Sequence, residues 1–116
     1  MSAEPLIDPS VATTLLLSTE TQFAPNGIVS RTLLNSPEAR VVLFGFAAGQ
    51  ELSKHTSSYA ALVQVLSGEC EFPAAGRMNR MKAGDILYMP AGCVHAVRAT
   101  QPLSMLLTLF KSHPGS

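Results

Sequence analysis

The sequence has few charged residues. Aspartate, glutamate, lysine and arginine make up 14% of its 116 residues, and the 8 basic and 8 acidic side chains give a net charge of zero. An ordinary soluble domain carries about 25% charged residues. This shortage, in a chain that is 47% hydrophobic, excludes a disordered chain and a coiled coil. It also indicates that part of the surface is covered by a partner subunit, and we therefore expect a homodimer.

The chain also lacks basic runs, long hydrophobic runs and a cysteine framework. Its longest hydrophobic clusters, Leu15–Leu17 and Met105–Leu107, fall far short of the roughly 20 residues that cross a bilayer. The first residues, MSAEP, are acidic rather than basic, unlike a secretory signal. Two cysteines, Cys70 and Cys93, do not make a disulfide framework. The arginines are isolated from one another, at Arg31, Arg40, Arg77, Arg80 and Arg98. We therefore predict a cytoplasmic protein that binds neither nucleic acid nor a membrane.

Turn-forming residues divide the chain from residue 28 onward into short segments. The segments are rich in β-branched, aromatic or aliphatic residues, and glycine, proline, asparagine and serine separate them. Short strands with frequent turn signals are typical of an all-β sandwich or barrel. The predicted strands are Ile28–Leu34, Arg40–Ala47, Ala60–Leu66, Cys70–Phe72, Ile86–Met89, His95–Ala99 and Leu103–Phe110.

The sequence is predicted to consist of three parts. Residues 1–27 contain three prolines and many serines and threonines, which favours an extended N-terminal arm. Within it, Val11–Leu17 fits either one strand or a short helix capped by Ser10. Residues 28–111 form the predicted barrel, and residues 112–116 form a loose C-terminal tail.

The strongest motif lies between residues 84 and 95. It reads G-x5-P-x-G-x2-H, with Gly84, Pro90, Gly92 and His95 at the fixed positions. Given the composition of this chain, such a match arises by chance about once in a thousand cases. The glycines permit tight turns, and Pro90 stiffens the entry to the segment that carries His95.

An earlier stretch places His55 between Gly49 and Gly68. Together the two stretches resemble the two motifs of the cupin superfamily, G-x5-H-x-H-x3–4-E-x6-G and G-x5-P-x-G-x2-H-x3-N. The resemblance covers Gly49 to Ala99 directly. It implies an all-β fold, a cupin-like antiparallel jelly-roll β-barrel, which is often dimeric through exchanged edge strands.

Three positions depart from the cupin motifs. Ser57 occupies the position of the second histidine, Ala61 that of the carboxylate and Ala99 that of the terminal asparagine. Of the metal ligands that the resemblance implies, His55 and His95 remain, and they could hold one divalent transition metal (Fe, Mn, Ni, Cu or Zn). Two histidines without a carboxylate do not complete the facial triad that suits non-haem iron.

The predicted pocket is wide and apolar, because the replacing residues are smaller than those of the motif. Side chains alternate along a strand, so alternation from His55 points residues 57, 61, 63 and 65 inward and Gln64 outward, unless a bulge intervenes. Cys93, two residues before His95, is a further candidate ligand. The predicted lining residues are Ser57, Ala61, Val63, Cys93, Val97 and Ala99.

Three functions are compatible with this pocket. In the first, His55 and His95 hold a divalent metal and the protein acts on a small organic molecule as a dioxygenase or isomerase. In the second, the barrel is a metal-free module that binds or senses a small molecule. In the third, the two imidazoles form a metal-independent acid–base pair. Cupin barrels host very different activities, so the resemblance does not separate these functions.

Overall fold

Two antiparallel sheets make up most of the computed structural model, which describes residues 4–111. The first sheet has the strand order β1-β2-β9-β4-β7 and the second has the order β3-β8-β5-β6. Within the described residues there is one helix, α1 (Leu17–Glu20), and the strands are β1 (Ile28–Asn35), β2 (Ala39–Phe46), β3 (Glu51–His55), β4 (Ala60–Ser67), β5 (Glu69–Ala74), β6 (Arg77–Lys82), β7 (Ile86–Met89), β8 (His95–Ala99) and β9 (Leu103–Phe110). This is the all-β, jelly-roll-like architecture that the sequence predicts.

Strands β3 and β6 are not among the strands that the sequence predicts. Their sequences, ELSKH and RMNRMK, are mostly polar and lack the β-branched runs that indicate a strand. Both are edge strands of the four-stranded sheet, and edge strands commonly carry charged residues that discourage further pairing. Only Met81 among these residues is buried.

The core lies between the inner faces of the two sheets. On β4, Ala61, Val63 and Val65 are buried while Gln64 is exposed, so the residues of that strand alternate between core and solvent. Phe46 and Phe72 are the largest side chains that are fully enclosed. Burial of one such side chain stabilises the folded state by about 1.5–3 kcal/mol relative to leaving it exposed.

The N-terminal part of the chain begins its helix later than the sequence predicts. Helix α1 starts at Leu17 after Leu16, and no side chain caps it. Ser10 is not its cap; instead its backbone N–H and hydroxyl donate hydrogen bonds to Asp8 Oδ1 at 3.0 and 2.8 Å. These two hydrogen bonds lower the pKa of the Asp8 carboxyl. Residues 11–16 form neither the predicted strand nor a helix.

This N-terminal segment packs across the outer face of the five-stranded sheet. Ile7 N–H donates to the Leu33 carbonyl at 2.8 Å, and the hydroxyls of Thr21 and Ser104 are 2.7 Å apart. Gly45 is required beneath the segment, because a Cβ there would lie 2.0 Å from the Gln22 carbonyl oxygen. The segment therefore bonds to the edge strand β1 and covers Gly45 on β2 and the adjoining Ser104 on β9.

No helix within residues 4–111 is long and apolar enough to cross a membrane. The predicted loose tail, residues 112–116, lies outside the described residues.

Candidate functional site

His55 and His95 face each other across neighbouring strands. His55 ends β3, His95 begins β8, and the two residues are direct partners in the antiparallel register. Their ring centroids are 4.1 Å apart, with 61° between the ring planes. The strand register shifts between Leu52 and His55, and after this shift His55 pairs with His95 at the end of β3. Two imidazoles that are distant in the sequence thus form one compact pair.

The hydrogen bonds of the two rings define which nitrogen carries the proton. Nδ1 of His55 lies 2.6 Å from the Ser53 carbonyl oxygen, and Nδ1 of His95 lies 2.9 Å from the Cys93 carbonyl oxygen. A carbonyl oxygen only accepts, so each Nδ1 must donate an N–H. In a neutral ring the lone pair is then on Nε2. Both histidines therefore keep Nε2 available for a ligand.

Phe72 supports the pair from the core side. Its ring lies parallel to that of His95, with 5.9 Å between centroids and 8° between planes. Phe72 is buried, His95 is partly buried and His55 is exposed. The pair thus lies where the apolar core meets the open end of the barrel.

The two imidazoles line two adjoining cavities. The larger has a volume of about 180 Å³ and the smaller about 60 Å³. The apolar residues that share the lining of the larger cavity are Ala61, Met89, Leu107 and Leu109, and its remaining lining residues are Ser57, Tyr59, Pro90 and Cys93. The smaller cavity is lined by residues in the core or packed against it, namely Phe44, Leu52, Val63, Phe72, Met89, Val97, Met105 and Leu107. An apolar hollow with a few convergent polar groups is typical of a small-molecule site.

The predicted lining residues divide between these cavities. Ser57, Ala61 and Cys93 line the larger cavity. Val63 and Val97 line the smaller one. Ala99 is fully buried in the core and belongs to neither lining.

Ser57 reaches the cavity for a reason other than strand alternation. Strand β3 ends at His55, so Ser57 lies in the loop that follows, where its Oγ accepts a hydrogen bond from Tyr59 N–H at 3.1 Å. The exposed side of β4 carries Gln64, which excludes it from the site.

Several lining residues were not predicted, among them Tyr59, Met89, Leu107 and Leu109. The register explains three of them, because Ala61 pairs with Met89 and Leu109 and Val63 pairs with Leu107. Direct antiparallel partners point to the same face of a sheet. A sequence shows that these residues are apolar, but it does not show which strands pair.

The described residues do not complete a metal centre of the usual kind. They contain no group of three or more histidine, cysteine, aspartate or glutamate side chains that could share one ion. A catalytic metal site ordinarily has three protein ligands. No carboxylate lines either cavity. His55 and His95 could supply two ligands through Nε2, and any others would have to come from water or from a bound molecule.

Both cysteines are free, and only Cys93 belongs to the site. Cys70 is 2% exposed. Its burial, with a smaller contribution from the Asp85 carboxylate, raises the pKa of its thiol to about 11. Cys70 is therefore a core residue with an inert thiol.

Comparison with known proteins agrees with the fold and the motif. The cupin domain family matches residues 42–109, which include both histidines of the pair. This match covers more than half of the chain. The protein belongs to the cupin family.

Three relatives illustrate how far the similarity extends. A conserved protein of unknown function from Streptococcus pyogenes is 32% identical, with a TM-score of 0.82 and 97% of each chain covered. A cupin superfamily protein from Desulfitobacterium hafniense is 22% identical, with a TM-score of 0.81, and the alignment covers 97% of this chain and 100% of that one. An uncharacterized protein from Aquifex aeolicus is 32% identical over 65 residues, or 56% of this chain. That alignment spans 54% of the Aquifex protein, about half its length.

Proposed function

We propose that this cupin binds a small organic molecule in the cavity beside His55 and His95. The observation that carries the proposal is that both rings donate from Nδ1 to backbone carbonyls and leave Nε2 free. Nε2 accepts a hydrogen bond when the ring is neutral and donates one when the ring is protonated. The ligand would therefore place one polar group at the histidines and its apolar body against Ala61, Leu107 and Leu109.

The size of the cavity limits the ligand. An apolar cavity of about 150 Å³ can hold a benzene molecule, so a volume of about 180 Å³ suits one ring or a short branched chain. The two imidazoles fix the orientation of such a molecule, because they are the polar groups at the junction of both cavities.

A cavity-filling variant tests this proposal. Benzamide is titrated into the protein while backbone amide shifts are followed by NMR. We expect shift changes at residues 55–61, 89–95 and 107–109 that saturate in the wild type and vanish in Ala61→Leu, which fills the cavity. Ala60→Leu is the matched control, because Ala60 is the adjacent residue on the same strand and is not part of the lining. Binding that persists in Ala61→Leu, or no binding by any ring-bearing probe, would overturn the proposal.

A divalent metal held by His55 and His95 is the second candidate. The observation in its favour is again the pair of Nδ1 hydrogen bonds to carbonyls, because histidines that ligate metals almost always donate their other ring N–H in this way. When bound, such an ion would supply Lewis-acid or redox chemistry, as the dioxygenase or isomerase hypothesis requires. Water or the organic ligand would have to complete its coordination.

Metal analysis of protein purified without a nickel column separates the two candidates. Stoichiometric metal that disappears in His55→Ala and His95→Ala supports the second candidate. Absence of metal after incubation with Fe, Mn, Ni, Cu and Zn salts, with benzamide binding intact, leaves the metal-free binding module.

A further inference from the structure

A groove lies beside the histidine pair and differs from the cavity in its charge. It is lined by Lys54, Ala74, Arg77, Met78 and Val94, and it shares His95 with the cavity. Pro73 and Gly76 complete its lining. Met78 and Val94 are each about half exposed. The groove therefore combines two cations with apolar surface, directly next to the proposed ligand site.

The strand register places Arg77 in one row with the histidines. His55 pairs with His95, His95 pairs with Ala74, and Ala74 pairs with Arg77. Direct antiparallel partners share a face, so Arg77 belongs to the cavity-facing side of the four-stranded sheet. Neighbouring strands are about 4.8 Å apart, which puts the backbone of Arg77 about 10 Å from that of His95. An arginine side chain can span most of this distance.

The turn before Arg77 holds this residue in register with Ala74, and through Ala74 with the two histidines. Ala75 and Gly76 form a two-residue connection between β5 and β6, with φ values of 52° and 77°, which is the conformation of the hairpin turns that match strand twist. The Ala75 N–H donates to the Val94 carbonyl at 3.0 Å. This hydrogen bond attaches the turn to the segment that leads into His95.

Neither cation of the groove is neutralised within residues 4–111. The ion pairs of these residues involve Arg31, Arg80, Lys82 and Arg98, and Lys54 and Arg77 form none. No aspartate or glutamate lines the groove or either cavity. A concave site bordered by cations and without carboxylates attracts an anion.

We propose that the ligand of the cavity is an organic anion, a conclusion that rests on the proposed function and narrows it. The apolar body occupies the cavity, and a carboxylate or phosphate group extends past His95 toward Lys54 and Arg77. A guanidinium binds either anion through paired N–H donors, and an ammonium binds it as a point charge.

The test compares three probes of similar shape. Benzoate and phenyl phosphate carry the two candidate anions, and benzamide is the neutral analogue. Affinities are measured by calorimetry at low ionic strength for the wild type, Arg77→Gln, Lys54→Gln and the double variant. Arg80→Gln is the matched control, because it removes the same charge from the same strand outside the groove.

We expect at least one anion to bind about tenfold more tightly than benzamide. Each groove variant should weaken that anion about threefold to fivefold, as expected for an exposed ion pair, and should leave benzamide unchanged. Added salt should reduce the difference between anion and amide. Whichever of benzoate and phenyl phosphate binds more tightly identifies the anion as a carboxylate or a phosphate.

Two results would overturn the inference. The first is equal affinity of benzamide and both anions, with all binding lost in Ala61→Leu; in that case the pocket is real but does not select anions. The second is an equal loss of anion affinity in Arg77→Gln and Arg80→Gln, which would mean that only net charge matters. Failure of the proposed function differs from both, because no probe then binds or binding survives Ala61→Leu.

Discussion

The ring of Phe72 lies parallel to the ring of His95, 5.9 Å away between centroids. Phe72 is in the core and His95 lines the cavity, so this stacked pair joins the packing of the barrel to the orientation of the site. Aromatic pairs of this kind contribute about 0.5–1.5 kcal/mol beyond their buried area. His95 is therefore positioned by two contacts, Phe72 against its ring and the Cys93 carbonyl at Nδ1.

Replacing Phe72 should loosen the site as well as the core. Phe72→Leu removes the stacking and leaves a small void, and we expect a loss of about 1–3 kcal/mol in the free energy of unfolding. Urea denaturation measures that loss. Under conditions where the variant is fully folded, its affinity for benzamide should also fall, because His95 is no longer held. A stable variant with unchanged affinity would show that Phe72 is only a core residue.

The protonation pattern of the pair can be observed directly. Long-range ¹H–¹⁵N NMR of the neutral rings should show the proton of both His55 and His95 on Nδ1 and a bare Nε2. The physical reason is that the Ser53 and Cys93 carbonyls can only accept. His55→Ala and His95→Ala assign the signals. A protonated Nε2 with a bare Nδ1 on either ring would contradict the assignment.

The sequence predicted the strands that carry apolar side chains and did not predict the polar edge strands β3 and β6. Strand β8 (His95–Ala99) matched its prediction at both ends, since its residues suit a half-buried strand and turn residues border it. Strand β3 carries ELSKH with only Leu52 partly packed on the core, so its pattern resembles a loop.

The part of the candidate site that follows from motif spacing or from alternation along one strand was predictable, and the part that depends on strand pairing was not. His55 and His95 could be named from spacing, whereas Leu107 and Leu109 enter the cavity through the pairing of β4 with β9. The position of Arg77 opposite Ala74 likewise depends on the turn at residues 75–76. Such relationships arise between strands, and no local pattern in the sequence contains them.

Gly45 should not tolerate a side chain. A Cβ at this position would lie 2.0 Å from the Gln22 carbonyl oxygen, a backbone atom that moves only if the N-terminal segment moves. We expect Gly45→Ala to lower the free energy of unfolding by about 1–3 kcal/mol, as overpacking does. It should also increase the protease sensitivity of residues near 22. Gly27→Ala is the control, because its Cβ would meet nothing closer than 3.5 Å. Equal stability of the two variants would mean that the segment does not press on β2.

Burial of Cys70 predicts a loss of stability at alkaline pH. The pKa of its thiol is raised from 9.0 to about 11 in the folded state, so between these values the unfolded chain has released a proton that the folded chain retains. Below pH 9 the thiol is neutral in both states and does not lower the stability of the protein. As the pH rises toward 11, the free energy of unfolding falls by about 2–3 kcal/mol in total.

Cys70→Ala isolates this contribution from that of other alkaline groups. Denaturant unfolding at pH 8 and pH 11 should show a smaller decrease in the variant than in the wild type. A thiol reagent should modify Cys93 alone in the native protein, because Cys70 is inside the core. Equal decreases in the two proteins, or rapid native labelling of Cys70, would contradict the inert role of this thiol.

Exposed apolar residues on the outer face of the five-stranded sheet predict a dimer. The N-terminal segment covers Gly45 on β2, while Ile86 and Tyr88 on β7 remain 58% and 59% exposed, beside Leu62 on β4. Large aromatic and aliphatic residues that are grouped in this way mark subunit contacts. We expect light scattering to give a mass near twice 12.3 kDa. Tyr88→Glu should shift the protein toward the monomer, because it places a charge within the contact, whereas Tyr59→Glu, at the cavity, should leave the mass unchanged. A wild-type monomer at high concentration would show that the low charge of the chain has another cause.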